Sequence, residues 1–308
     1  MSHRSGVVTL LGKPNTGKST LLNALVGTKV AIVSPHPQTT RTRLQGILTR
    51  AHAQIVFVDT PGAHRPLSRL NRQMMAAVRE GLDGADLELL VVDARRPPSE
   101  EDEIAVELVR GSGRPGFLVL NKIDLIDKRA LLPLIDHYRQ IHPFEEFIPV
   151  SALRGDNLDV LERALIARLP EGPPLFPPDA VTDQPERFLA AEIIREKIFL
   201  ETRKEVPYAT AVLVETFEEF GHDNAPVAGS GAPRTLAHLQ ATILVEREGQ
   251  KGILIGQGGQ RLKRIGQAAR AELEQLLGCK VYLELFAKTR ADWREQAGLE
   301  QLVDWRHG

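Results

Sequence analysis

The stretch that most limits the fold is Gly12-Lys13-Pro14-Asn15-Thr16-Gly17-Lys18-Ser19. It follows an apolar, strand-like run and leads straight into the helical pattern Thr20-Leu21-Leu22-Asn23-Ala24-Leu25. A G-x-x-x-x-G-K-[ST] loop between a strand and a helix turns backbone N–H groups and a helix N-terminus toward one point, which suits a chain of phosphates. Lys18 is then placed to neutralise the β- and γ-phosphates, and Ser19 to ligate Mg²⁺. Such a loop needs a strand–helix layer around it, so an α/β sheet is the first expectation.

Residues 6–169 fit that expectation. Apolar runs at 7–11, 55–58, 87–92, 117–120 and 147–150 alternate with helical periodicity such as Leu158-Leu161-Leu165-Leu169. This pattern builds a mostly parallel sheet with helices on both faces and ligands at the carboxyl ends of the strands. Three more motifs stand at such ends. Asp59-Thr60-Pro61-Gly62 follows the second run, with Ala63 next. Asp59 can hold Mg²⁺ there, and Gly62 lets a backbone N–H reach a γ-phosphate. Asn121-Lys122-Ile123-Asp124 closes the fourth run. A carboxylate at Asp124 accepts two parallel hydrogen bonds from guanine N1–H and the 2-amino group. Adenine would leave it unpaired, at about 1–3 kcal/mol. Asn121 would brace the neighbouring loops, and the stem of Lys122 would cover the base. Ser151-Ala152-Leu153, after the fifth run, can supply a backbone N–H to guanine O6. Each motif alone is common in loops. Four in this order, each at a strand end, define a GTP site.

At 308 residues the chain is long for one core, and two domains are expected. The boundary is a segment with prolines at 170, 173, 174, 177, 178 and 185, read as a semi-rigid linker. Beyond it the pattern is a helix at 188–203, strands at 209–217 and 237–246, a short helix, a glycine turn, a helix at 260–277 and a strand at 280–286. The stretch 221–235 is rich in Gly, Pro and Ala and reads as a mobile loop.

The turn is Gly256-Gln257-Gly258-Gly259. A dinucleotide fingerprint would need glycine at Arg261, and no G-K-[ST] follows. The sequence satisfies G-x-x-G between two helices, the loop with which KH domains clamp about four nucleotides of single-stranded RNA. Leu262, Ile265, Ala269, Leu273 and Leu276 form the apolar stripe of the following helix. The whole chain carries a net charge of −1, so a polyanion must be met by a local patch. Residues 251–290 provide one, with eight Lys and Arg against three Glu, a net +5. Lys251, Gln260, Lys263 and Arg264, beside the glycine turn, are the candidate RNA contacts. Trp293 and Trp305 read as core caps rather than base-stacking platforms.

These residues carry a resemblance. GKPNTGKS, PQTTR, DTPG, NKID, RFLAAEIIREK and VEREGQKGILIGQGG together resemble the Era family of GTPases across nearly the whole chain. The resemblance implies a Ras-like G domain at 1–170 with a six-stranded sheet, a linker at 171–187, a type II KH domain at 188–290 and a tail at 291–308. It also implies that Gln38-Thr39-Thr40-Arg41 is a switch segment, with Thr40 closing onto Mg²⁺. From the residues alone this is a basic, polar loop. Asn15 stands where potassium-activated relatives hold a cation, so K⁺ is expected beside GTP or GDP and Mg²⁺. The catalytic set implied is Asn15, Lys18, Thr40 and Gly62. Ala63 departs from the family, where a larger apolar residue is common, and offers no carboxamide to orient water; His64 is expected to be an exposed switch residue.

The implied partners are the 3′ region of 16S ribosomal RNA and the 30S subunit, with a monomeric chain assisting subunit maturation. An RNA chaperone whose GTP site is only structural is the alternative. The single Cys279 has no internal disulfide partner, and no apolar stretch approaches the roughly 18–20 residues of a membrane span. Cytoplasmic location is therefore expected. Peripheral attachment to the inner membrane rests on the resemblance alone.

Overall fold

The computed structural model describes residues 2–36, 39–63, 69–222, 225–227 and 233–295. His64, Gln38, Trp305 and much of the loop at 221–235 lie outside them. The chain divides between Asp183 and Gln184 into two compact units.

The first unit contains β1 (Arg4–Leu11), α1 (Lys18–Val26), β2 (Leu44–Arg50), β3 (Ala53–Asp59), α2 (Arg69–Leu82), β4 (Leu87–Asp93), α3 (Glu100–Ser112), β5 (Gly116–Asn121), α4 (Leu131–Ile141), β6 (Glu146–Val150) and α5 (Leu158–Arg168). The strands form one sheet in the order β2-β3-β1-β4-β5-β6. All neighbours are parallel except β2 and β3. Every residue of β3, β4 and β5 is buried, as strands covered on both faces must be. Helices α2, α3 and α4 contribute Val78, Val106 and Tyr138 to the core on one face. The edge strand β2 was not among the apolar runs because Gln45, Gly46, Thr49 and Arg50 interrupt its apolar residues. Successive strands leave β1 in opposite directions, so the crevice at its carboxyl end is the switch point where such sheets bind ligands.

The proline-rich segment lies on this unit. Gln54, fully buried, accepts from the N–H groups of Leu175 (2.7 Å) and Phe176 (2.9 Å) and donates to Phe176 O at 3.0 Å. Ile47 N–H donates to Val181 O at 2.9 Å, and the Thr182 hydroxyl donates to Gln45 O at 2.7 Å. Prolines lack N–H donors, so the segment offers carbonyls and side chains to the exposed edge of β2 and covers it.

The second unit contains α6 (Glu186–Glu201), β7 (Ala211–Phe220), β8 (Leu236–Val245), α7 (Glu248–Ile255), α8 (Gln260–Leu277) and β9 (Lys280–Thr289). Its sheet order is β7-β8-β9, with β7 antiparallel and β9 parallel to β8. Helices α6 and α8 cover one face through Ile194, Ile198, Ile265, Ala269 and Leu273. Leu277, not Leu276, completes the buried stripe of α8; Leu262 and Leu276 flank it. Trp293 is buried against Ala211 and Leu244, and its indole N–H donates to Ala209 O at 2.9 Å. It caps the other face of the sheet. Cys279 is half-buried and packs against the core, where burial raises its pKa.

Candidate functional site

The loop after β1 is shaped by glycines that accept no side chain. A Cβ on Gly12 would lie 2.3 Å from Val91 O, and one on Gly17 would lie 2.4 Å from Asn121 Nδ2. Both have positive φ, as does Asn15 at 65°. The buried Lys18 folds back over the loop, donating to Gly12 O at 2.9 Å and Lys13 O at 3.2 Å. Burial pushes its ammonium down to about 8, partly offset by the charge of Asp59. A polyphosphate would supply the counter-charge that this buried cation favours.

Three side chains from separate elements meet beside it. Ser19 Oγ donates to Asp59 Oδ2 at 2.6 Å and lies 3.0 Å from Thr40 Oγ1. Thr40 Oγ1 donates to Asp59 Oδ2 at 3.3 Å. Burial raises the pKa of Asp59, with Lys18 opposing. Asp59 Oδ1 is buried with no hydrogen-bond partner among the described residues. One orphaned carboxylate oxygen beside two hydroxyls fits a hard divalent cation such as Mg²⁺, which takes few protein ligands and completes its shell with phosphate and water. No cluster of three or more His, Cys, Asp or Glu that could hold a metal occurs among the described residues.

Thr60 and Pro61 are buried, and the Thr60 hydroxyl donates to Leu10 O at 2.7 Å. Gly62 packs so closely on the loop that a Cβ would lie 2.5 Å from Pro14 N. Ala63 N–H donates to Gly12 O at 3.0 Å, and its small side chain enters the core. A cleft of about 410 Å³ opens here, bordered by Pro14, Asn15, Lys18, Thr20, Thr40 and Gly62. Asn15 donates to Pro35 O at 3.2 Å, which links the loop to the segment ahead of Thr40.

The base-recognition motifs converge through Asn121. Its amide donates to Thr16 O at 2.9 Å, and its Oδ1 accepts from Lys122 N (2.8 Å) and Ala152 N (3.0 Å). One buried side chain thus ties three loops together. Asp124 accepts from Ser151 Oγ at 2.7 Å and lies 3.7 Å from Arg154. Leu153 is exposed. Lys122 donates to Asn15 O at 2.5 Å and Asp93 Oδ2 at 2.8 Å. Burial alone would raise the Asp93 carboxyl, but hydrogen bonds from Arg95 and Lys122 hold it well below the usual range.

Lys13 is expected in the loop without a role for its side chain. Its side chain turns away from the cleft to Asp102 Oδ2 (2.6 Å) and Ser99 Oγ (3.0 Å), leaving only its backbone to line the loop. Sequence reasoning missed Asp93 and Asp102. Asp93 ends a strand as Asp59 does, and Ser99-Glu100-Glu101-Asp102 is a legible helix-capping pattern.

In the second unit Gly256, Gly258 and Gly259 have φ of 73°, 56° and 77°, which explains the glycines. Gln257 sits in the turn and Gln260 opens α8. A groove of about 700 Å³ runs from Gly259 along Lys263, Gly266, Gln267 and Arg270 of α8 to Leu283 and Leu285 of β9. Of the expected contacts, Lys263 faces this groove. Arg264 pairs with Glu201 at 3.0 Å and Lys251 with Glu248 at 3.6 Å. Gly266, Gln267 and Arg270 were not singled out, because their place on the groove depends on how α8 packs against β9.

The first unit is thus a P-loop nucleotide-binding domain with strand-end guanine motifs, and the second has the αββααβ order of a KH domain. A family model described as "50S ribosome-binding GTPase" matches residues 7–122, and a KH-domain model matches residues 227–294. The chain is 49% identical to GTPase Era of Geobacter metallireducens over 95% of its length and 94% of that protein's. It is 49% identical to GTPase Era of Syntrophus aciditrophicus over 94% and 91%. Among solved structures it is similar to Era in complex with MgGDPNP and nucleotides 1506–1542 of 16S ribosomal RNA. That match has a TM-score of 0.91 and 43% identity, covering 98% and 99% of the two chains. An Aquifex aeolicus Era variant bound to GDP·AlF4⁻ gives 0.90 and 43%, with the same coverage. The chain belongs to the Era family and is a GTP-hydrolysing P-loop enzyme. No helix among the described residues is long and apolar enough to cross a membrane.

Proposed function

We propose that the chain is a cytoplasmic GTP-dependent switch. Its G domain, residues 1–170, governs a KH domain, residues 188–290, that binds the 3′ region of 16S ribosomal RNA during 30S subunit assembly. The convergence of Ser19, Thr40 and the half-orphaned Asp59 carries this reading. Thr40 belongs to the loop ahead of β2, yet its hydroxyl reaches the same carboxylate as the P-loop serine. Mg²⁺ held by Ser19 and Thr40, with Asp59 beside it, would neutralise charge on the β- and γ-phosphates. Lys18 supplies a second positive charge, and Gly62 presents backbone to the γ-phosphate. Asp124 reads guanine, with Asn121 holding the loops in register. K⁺ at Asn15 would supply the charge that an arginine finger supplies elsewhere.

Loss of the γ-phosphate frees Thr40 and Gly62, so the ordering of these segments reports which nucleotide is bound. In the KH domain, Gly256–Gly259 lets an RNA backbone lie close, and Lys263 contacts phosphate. A monomer suffices for both activities, and peripheral membrane attachment would add a surface contact without a spanning segment. The test is GTP hydrolysis in K⁺ and in Na⁺, with and without a single-stranded oligonucleotide from the 3′ end of 16S rRNA. Higher rates in K⁺ and further stimulation by the oligonucleotide are expected. Rates indifferent to RNA would refute the coupling, and rates equal in the two salts would refute the cation role.

A further inference from the structure

The geometry points to Asp102 as a positioning residue for GTP hydrolysis, acting through Lys13. The two side chains form an almost fully buried pair, Lys13 Nζ to Asp102 Oδ2 at 2.6 Å, with side-chain exposures of 9% and 4%. The same Oδ2 accepts from Ser99 N at 2.9 Å and Ser99 Oγ at 2.8 Å, and Ser99 Oγ in turn accepts from Lys13 Nζ at 3.0 Å. The N-terminus of α3 and the phosphate loop are therefore fastened at one carboxylate oxygen.

What Lys13 carries makes this more than a helix cap. Its carbonyl is one of the two that accept from Lys18 Nζ, at 3.2 Å, and it also accepts from Thr16 Oγ1 at 3.2 Å. The next residue, Pro14, is the surface on which Gly62 rests without room for a Cβ. A shift of residue 13 would move the acceptor that aims the Lys18 ammonium and the floor beneath Gly62 together. The loop's other flank is held in the same way, since Lys122 bridges Asp93 Oδ2 and Asn15 O. Two acids, Asp93 at the end of β4 and Asp102 in the first turn of α3, each through a lysine, fix the residues on either side of Pro14. A buried ion pair with this many partners is rigid, and a misplacement near 1 Å in a reacting site costs up to about 10²-fold in rate. GDP keeps the β-phosphate that Lys18 neutralises but lacks the γ-phosphate beside Gly62, so the pair bears on turnover more than on GDP binding.

This rests on the roles proposed above for Lys18 and Gly62. The experiment compares Asp102→Asn, Lys13→Met, the double variant and Lys18→Ala in the full chain with Mg²⁺ and K⁺. It measures kcat and KM for GTP, Kd for GDP, and Tm, with each rate taken well below the variant's own Tm. Asp102→Asn and Lys13→Met should each lower kcat about tenfold or more, leave Kd for GDP within about threefold, and show no further loss when combined. The inference is overturned if kcat stays within about twofold of wild type, if the losses multiply in the double variant, or if GDP binding falls in parallel with kcat. Lys18→Ala with wild-type kcat would overturn the phosphate-loop assignment and this inference with it. A loss in Lys18→Ala with none in Asp102→Asn overturns this inference alone. Should Asp102→Asn not fold, Ser99→Ala removes one acceptor of Lys13 and keeps the carboxylate. Its kcat should fall with GDP binding intact, and an unchanged kcat counts against the role.

Discussion

Glu88 offers a test of how the sheet tolerates charge at the end of β4 remote from Asp93. It is fully buried, in register with Thr9 on β1 and Gly116 on β5, and neither carboxylate oxygen has a hydrogen-bond partner among the described residues. Burial lifts its pKa from 4.5 to about 7, and the nearby Ser112 hydroxyl and Arg114 charge offset only part of the rise. The folded state therefore holds this proton more tightly than the unfolded chain. The resulting stability is fully present below about pH 4.5 and is lost as pH rises through about 7. A rise of that size corresponds to about 3 kcal/mol, most of it between pH 5 and pH 8. Glu88→Gln mimics the protonated form at every pH, so the variant should lack this slope and gain about 3 kcal/mol on wild type across the interval. Amide hydrogen exchange of peptides from β4 and β5, at about pH 5 and about pH 8 with intrinsic rates corrected, reports this unit separately from the other. Identical pH dependence in the two proteins would show that the Glu88 carboxyl adds nothing to the slope.

Three further outcomes follow from the site. Asp124→Asn should lower GTP affinity by about 10- to 100-fold and raise affinity for xanthine nucleotides, measured by competition against a fluorescent GDP; unaltered base preference would remove Asp124 from that role. Gly62→Ala places a methyl 2.5 Å from Pro14 N and should cut kcat more than about tenfold while GDP binding holds, as read by single-turnover hydrolysis. Arg270→Ala, on the groove beside Lys263, should weaken binding of a 3′-end 16S oligonucleotide and reduce the slope of log K against log salt by about 1, whereas Arg264→Ala, whose side chain is paired with Glu201, should do less.

The parts of this protein that were legible in the sequence are those a short window dictates. Glycines 12, 17, 256, 258 and 259 all adopt positive φ, and that requirement belongs to the residue itself. Fully buried strands announce themselves as apolar runs, so β3, β4 and β5 were visible, while the edge strand β2, interrupted by Gln45, Gly46 and Thr49, was not. Motifs placed at strand ends predicted a common site because parallel strands deliver their carboxyl ends to one side of the sheet. The sequence alone therefore determined the nucleotide class, the glycine turn of the KH unit and the two-unit plan.

Only the tertiary structure decided which side chains are free to act. Lys13 reaches Asp102 across 89 residues and Asn121 reaches Thr16 across 105, separations over which no local pattern carries information. Packing pairs Arg264 and Lys251 with acids and sets Lys263 and Arg270 along the groove, although all four carry the same charge in the sequence. The physical reason is that a backbone dihedral is a property of one residue, whereas the partner of a buried charge is chosen by the fold that removes both from water.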